Sequence, residues 1–298
     1  MGYVMSTVTQ DQQPQSKLQA YLSLARISNS PTVVTNVVVG AALAGSLVLD
    51  YRLLLLCLSL VAFYTAGMFL NDICDYEIDR QERANRPLVT GALSMREAWA
   101  GTLVLFALAF ALLAPLGWRV TVAGVILTGL IVLYDTWHKK NIVSPLVMGA
   151  NRFMVYVVAY LAYQPTLNTG VLIPASMLLL YILGVTFVAK SETSSERFTK
   201  YWPVAVLILP ALYYVVRAGA APLALVVALV FVGWVIYSTT FIYQEAKRNI
   251  GVAVSFLLAG ISLLDATALA ALGSTVGLLV GVAGFGLTLF LQQYIRGT

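Results

Sequence analysis

The run "LLLLCLSLVAFYTAGMFLNDICDYEIDRQERANRP", residues 53–87, changes character at Asn71. Residues 53–70 are apolar apart from a few hydroxyls. The stretch from Asn71 to Pro87 then packs five acids and three arginines into seventeen residues. An apolar helical run of that length covers about 27 Å, close to the ~30 Å hydrocarbon core of a bilayer. A membrane crossing that ends in a dense ionic segment is the first expectation.

The rest of the chain repeats the apolar half of this pattern. Of 298 residues, 60% are hydrophobic and 10% charged, and the mean hydropathy is +0.85. Soluble domains hold roughly half apolar residues. Only helices and closed barrels satisfy their backbone in lipid, and these runs are continuous where a barrel would alternate. The expected fold class is all-α, a polytopic transmembrane helical bundle of about nine to ten spans. The spans fall near 31–49, 53–70, 98–116, 119–134, 146–163, 171–189, 203–216, 222–243, 250–272 and 275–293. The seventh is short and carries Pro203 and Pro210. Only "GST" at 273–275 separates the ninth from the tenth, which leaves one of them open to being partial or re-entrant.

Lysine and arginine set the orientation. With residue 1 placed in the cytoplasm, the outer segments hold only Arg52, Arg119 and Arg217 of the 18 basic residues. That asymmetry is the positive-inside signature, and it puts both termini in the cytoplasm. Of the 13 acids, all but Asp50 and Asp265 fall on the same cytoplasmic side. The net charge of +5 is therefore an orientation signal, with no basic stripe for nucleic acid. Cys57 and Cys74 imply no disulfide framework. Residues 1–16 read as a flexible cytoplasmic tail and 17–298 as a single transmembrane domain.

Asn71, Asp75 and Asp79 stand at i, i+4 and i+8, one stripe on a helix, with Asp72 near the same face. Like charges so spaced repel, so a cation should neutralise them. Mg²⁺ suits oxygen ligands of this kind. A plainer reading pairs the acids with Arg80, Arg83 and Arg86 on a solvated loop. The second clue weighs against that. After the sixth span, "KSETSSERFTK" sets Glu192 and Glu196 at i and i+4 beside Lys190 and Arg197. After the fourth, "YDTWHKKN" offers Lys139 and Lys140 at the same face, and Arg152 lies just inside the fifth span. Two acid clusters with lysines between them suit a diphosphate held by metal bridges and ammonium contacts, its apolar tail entering from the bilayer.

These residues resemble a family. "NDICDYEIDRQERANRPLVTGALS" is similar to the first aspartate-rich motif of UbiA-type intramembrane prenyltransferases, including Arg83, Arg86, Pro87, Gly91 and Ser94. "LARISNSPTVVTNVVVGAALA" resembles the family's first helix, with Arg26 and Asn29 at its basic and polar positions. "YDTWHKKNIVSPLVMGA" resembles the loop and fifth-helix start, through Gly149. The second family motif is usually DxxxD, and here Glu192 and Glu196 replace both aspartates; the last span is also additional to the usual nine. In these departures the chain resembles the UbiA-like proteins of bacterial ebo-type clusters.

The resemblance implies a ring of helices around a central cavity that opens sideways to lipid. It implies an enzyme that moves a polyprenyl group from an allylic diphosphate to an acceptor that the sequence does not identify. Asn71, Asp72, Asp75, Asp79, Glu192 and Glu196 would hold Mg²⁺, with Asp75, Asp79, Glu192 and Glu196 catalytic. Arg26, Asn29, Arg83, Arg86, Lys139, Lys140, Arg152 and Lys190 would bind substrate. Two other readings stand beside this one. A transporter would place polar groups near the midplane, whereas nearly every ion here lies at one face. A non-catalytic homologue or scaffold gives no reason for two acid pairs facing one compartment. The single histidine, His138, reads as interfacial. Asp265, an acid within a span, reads as a cap or hydrogen-bonding group near the outer end.

Overall fold

The structure is a computed structural model, which describes residues 16–45, 47–137, 141, 143–190, 201–219, 221–244 and 248–295. Of the expected tail only Ser16 falls among them, and Lys139, Lys140, Glu192 and Glu196 lie outside them. The described residues form eleven α-helices. They are α1 (Lys17–Leu24), α2 (Ser30–Leu43), α3 (Tyr51–Glu82), α4 (Met95–Leu113), α5 (Trp118–Trp137), α6 (Ser144–Leu161), α7 (Thr169–Lys190), α8 (Trp202–Arg217), α9 (Pro222–Tyr243), α10 (Ile250–Ala271) and α11 (Thr275–Gln292).

Each of helices α2 to α11 falls on one of the ten expected runs, although α2 ends at Leu43, short of the expected 49, and α3 continues well past 70 to Glu82; α1 is an addition that hydropathy does not reveal. Among the described residues, seven helices are long and apolar enough to cross a membrane: α3, α4 with its 3₁₀ extension to Leu116, α5, α7, α9, α10 and α11. Both α10 and α11 are long and apolar enough to cross on their own. Gly273, with φ +70, turns the chain between them, and the Ser274 side chain accepts from Gly277 N to cap α11. Helix α2 with the preceding 3₁₀ turn, and α8, are shorter apolar helices. Asn151 and Arg152 make α6 more polar than its neighbours, and the reason emerges at the cavity.

Helix α3 has 32 residues, about 48 Å, well beyond the thickness of a hydrocarbon core. Its apolar first two thirds fill a span, and its last turns carry the acids past that span. The chain then turns back over 83–94. Gly91 takes φ +75, a left-handed conformation that glycine adopts without strain. Ser94 opens α4 with a capping box, its hydroxyl accepting from Glu97 N while Glu97 Oε2 accepts from Ser94 N. Glu97 Oε1 also takes Lys17 Nζ at 2.9 Å, which docks α1 on α4.

The packing falls into two runs of four helices. In the first, α2 packs on α3, and α3 on α4 and α5; in the second, α6 packs on α7, α7 on α8, and α8 on α9. Helices α2 and α6 both open with Ser-Pro, Ser30-Pro31 and Ser144-Pro145, and they pack on each other. Helix α10 is buried against α2, α7, α8 and α9, and α11 lies on α2 and α10.

Alternate crossing brings the start of α2 and the ends of α3, α5, α7 and α11 to one end of the bundle. Hydrogen bonds confirm the grouping: Asn71 to Asp135, Lys190 to Ser144, and Gln292 to Asn29. The opposite end is tied separately. Tyr163 Oη donates to Asp50 Oδ1 at 2.8 Å, and Gln164 Nε2 donates to Ala44 O at 2.6 Å.

Candidate active site

The acid stripe of α3 forms as its spacing predicts. Asn71, Asp72 and Asp79 are buried, Asp75 is half-buried, and Glu77 and Glu82 are exposed. The cations that meet the stripe come from two directions. Arg26, between α1 and α2, sends Nη2 to Asn71 Oδ1 at 3.1 Å and Asp72 Oδ1 at 3.0 Å. Its Nη1 reaches Met68 Sδ at 3.4 Å, and its backbone carbonyl accepts from Tyr64 Oη. Arg86, returning on the 83–94 turn, places Nη1 3.6 Å from Asp72 Oδ2 and Nε 4.0 Å from Asp79 Oδ2. Burial lowers the pKa of Arg86, the nearby Arg26 charge lowers it further, and Asp72 and Asp79 act against both. Arg83 stays exposed at the end of α3. Arg80 pairs with exposed Glu77. Of the arginines weighed as partners of a solvated loop, Arg86 pairs with Asp72 and Asp79, and these two acids are withdrawn from solvent.

Beneath the stripe is a cavity of about 550 Å³, its open mouth included. It lies between α2, α3, α5 and α6. Val33, Leu60, Phe63, Leu127, Ile131 and Val155 supply apolar walls, and Tyr64, Tyr134, Asp135, Asn151 and Arg152 supply the polar ones. Asp135, at the end of α5, accepts from Asn71 Nδ2 at 3.1 Å. The acid stripe and the cavity therefore meet through one amide.

Arg152 is expected just inside the fifth span, and it does lie within α6, though deeper than the first turns. It is the ninth residue of α6, buried, with Nη1 donating to Asn36 Oδ1 at 2.9 Å and its guanidinium 5.4 Å from the Tyr64 ring centroid. These partners offset the desolvation that burying a guanidinium costs. Lys190 donates to Ser144 Oγ at 2.7 Å and Asn141 O at 3.1 Å, which ties α7 to the start of α6. Asn29 is buried, and its Oδ1 accepts from Gln292 Nε2 at 3.1 Å. Asp265 is no cap: it lies six positions before the end of α10, with no exposed surface.

Three site residues escape sequence reasoning. Asp135 stands in the quoted "YDTWHKKN", where it reads as one more loop charge. Asn36 is a polar residue in an apolar run, and Tyr64 passes for an ordinary aromatic of a span. The signal present in each case is a polar group at membrane depth.

Among the described residues, no group of three or more histidines, cysteines or acids is arranged to hold a metal ion. The donor chemistry nevertheless fits a hard cation. Asp72 Oδ2 and Asp135 Oδ2 are buried carboxylate oxygens with no hydrogen-bond partner among the described residues. Carboxylate oxygen is the ligand Mg²⁺ prefers.

Comparison with known proteins follows the same line. A digeranylgeranylglyceryl phosphate synthase of Sulfolobus acidocaldarius is 28% identical over 182 residues, 59% of this chain and 64% of that protein. One from Methanocaldococcus jannaschii is 36% identical over 83 residues, 28% of this chain and 29% of that protein. The chain thus matches less than two thirds of the length of either relative. Among solved structures, a UbiA homolog from Archaeoglobus fulgidus bound to GPP and Mg²⁺ aligns with TM-score 0.60 at 16% identity, covering 85% of this chain and 99% of that one. The apo structure of a UbiA homolog from Aeropyrum pernix K1 gives TM-score 0.52 at 21% identity, covering 89% and 98%. These likenesses concern the fold. The profile of the UbiA prenyltransferase family matches residues 33–261, from the second turn of α2 into α10. With most of its length matched, and with the acid stripe and the cavity inside the matched region, the chain belongs to the UbiA prenyltransferase family.

Proposed function

We propose that this protein is an integral-membrane prenyltransferase that takes an allylic diphosphate as donor and alkylates an acceptor within the bilayer. One observation carries the reading: a buried acid stripe, met by two arginines, stands at the polar end of an apolar cavity inside a membrane fold. That arrangement separates a diphosphate from its hydrocarbon tail. Arg26 and Arg86 lie where they can bind the diphosphate, and Lys139 and Lys140 would add to them from the loop after α5. Arg83, exposed at the end of α3, would attract the anion before it docks.

Asn71, Asp72, Asp75 and Asp79, together with Glu192 and Glu196, would hold Mg²⁺. When bound, Mg²⁺ supplies positive charge that stabilises the departing diphosphate. The allylic carbon–oxygen bond breaks with both electrons going to the diphosphate. The acceptor forms its new bond to that carbon and releases a proton. Arg26 and Arg86 stabilise charge on the leaving group. The apolar walls from α2, α3, α5 and α6 keep water from the electron-poor carbon. The site would face the cytoplasm, on the asymmetry of lysine and arginine, and residues 17–298 would form one domain.

The deciding experiment is mass spectrometry of lipid extracts from cells with and without the gene, joined to an assay of the purified protein with geranyl diphosphate and Mg²⁺. Release of diphosphate with appearance of a prenylated lipid is the expected result. An unchanged lipid profile and no diphosphate release would overturn the reading.

A further inference from the structure

A chain of hydrogen bonds runs from α10 to the cavity through residues that the proposed reaction leaves unused. Asp265, Asn36 and Tyr156 have no exposed surface, and Thr35 is 1% exposed. Asp265 Oδ2 accepts from Thr35 Oγ1 at 2.5 Å and from Asn36 Nδ2 at 2.7 Å. Its Oδ1 accepts from Tyr156 Oη at 2.5 Å. Asn36 then presents Oδ1 to Arg152 Nη1 at 2.9 Å. Arg152 in turn lines the cavity beside Tyr64.

The order of atoms matters. A primary amide has a donating end and an accepting end. With its NH₂ committed to a carboxylate, Asn36 has only its oxygen left for a guanidinium, which is a pure donor. Without the carboxylate the amide could turn its NH₂ to Arg152, donor against donor. An ionisable group at membrane depth is costly, and a tie between helices does not need one. Elsewhere the chain links helices with neutral groups, as where Tyr181 Oη donates to Leu257 O and Ser59 Oγ donates to Ala109 O. Helix α11 closes the far side. Gly284 leaves room for Thr35 Cγ2, which would stand 2.5 Å from a Cβ at that position.

We propose that Asp265 is a positioning residue: acting through Asn36, it fixes the Arg152 guanidinium at the polar end of the cavity, where Arg152 binds the anionic end of the substrate. The inference rests on the donor reading above, and its test separates the two. The purified enzyme is assayed in lipid nanodiscs with geranyl diphosphate and Mg²⁺, and KM and kcat are resolved.

Arg152→Gln and Asp265→Leu should each raise KM about tenfold with kcat within about twofold, the pattern of lost binding. The double variant should be no worse than the poorer single one, because both break one relay. A rise of about a hundredfold in the double variant, or an unchanged KM in Asp265→Leu, overturns the proposal. Asp265→Asn keeps an acceptor oxygen for Thr35 and Asn36, so its KM should rise only about threefold. If Asp265→Leu is not monodisperse after extraction, Asp265→Asn decides, alone and combined with Arg152→Gln, and an unchanged KM counts against the relay.

If the wild-type protein consumes no allylic diphosphate, the prenyl-transfer reading fails by itself. Calorimetric binding of inorganic diphosphate with Mg²⁺ then reads the relay. Binding should weaken about tenfold in Arg152→Gln and in Asp265→Leu, and about threefold in Asp265→Asn. Equal binding in all of them, or none in the wild type, overturns the relay.

Discussion

The Arg26 guanidinium lies 3.0 Å from Asp72 Oδ1, and it reaches that carboxylate from a left-handed backbone turn. With φ 44, Arg26 is the one non-glycine residue with positive φ among those described. Such a conformation costs roughly 1–2 kcal/mol. A charge-assisted hydrogen bond returns about 1.5–3 kcal/mol, and Arg26 makes two contacts to the stripe from one nitrogen. The turn between α1 and α2 is therefore held by the site it serves.

Arg26→Lys should raise KM for the allylic diphosphate about tenfold, because a single ammonium cannot keep both the Nη2 contacts to Asn71 and Asp72 and the Nη1 contact to Met68 that the two guanidinium nitrogens make. Arg26→Ala should lose more, since it leaves the buried Asp72 with Arg86 alone, 3.6 Å away. Initial rates over a range of donor concentration check both. A Lys variant with wild-type KM would remove Arg26 from substrate binding.

Asp75→Asn and Asp79→Asn should each cut turnover by about a hundredfold or more, as expected when a carboxylate ligand becomes an amide. EDTA should stop the wild-type enzyme and added Mg²⁺ should restore it. Turnover that persists in EDTA would sink the metal reading, whatever the variants do.

Glu192 and Glu196 depart from the family's aspartates by one methylene each. If they complete the site, Glu192→Gln and Glu196→Gln should fall by orders of magnitude while expression holds, and the Asp variants should be milder because charge is kept. Wild-type rates in both Gln variants would leave the α3 acids as the whole site.

Helix α11 offers a stability test that avoids the chemistry. A Cβ on Gly281 would stand 2.8 Å from Ala266 Cβ and 2.9 Å from Ala266 Cα, whereas one on Gly286 meets nothing within 4 Å. Gly281→Ala should push α11 off α10 and lower the melting temperature in detergent by several degrees, about 1–3 kcal/mol of overpacking. Gly286→Ala should hold or raise it slightly, since alanine is the better helix former by roughly 1 kcal/mol. Equal melting of the two variants would contradict the packing.

Topology is testable with thiols. In a protein with Cys57 and Cys74 replaced by serine, cysteines at Ser94 and Ser194 should resist an impermeant reagent in intact cells and react after permeabilisation. Labelling of either one in intact cells would break the shared cytoplasmic face.

Much of this protein is legible in its sequence, for reasons specific to lipid. A backbone with no water must bond to itself, so a long apolar run is a helix wherever it occurs, and α2 to α11 fall where the runs predict. The stripe of Asn71, Asp72, Asp75 and Asp79 is equally legible, because helical spacing within one element fixes which side chains share a face. Residues that act across elements were hidden. Nothing local says that Asn36 of α2 stands between Asp265 of α10 and Arg152 of α6, or that Asp135 joins Asn71 at the cavity. Nor does local sequence show that Lys190 ties α7 to Ser144. Those partnerships depend on which helices pack together, and apolar faces of similar composition carry little information about that choice. Sequence determined the spans, their alternation and the acid stripe. Tertiary packing decided which buried charges meet, since a polar group withdrawn from water must find its partner on whatever helix lies beside it.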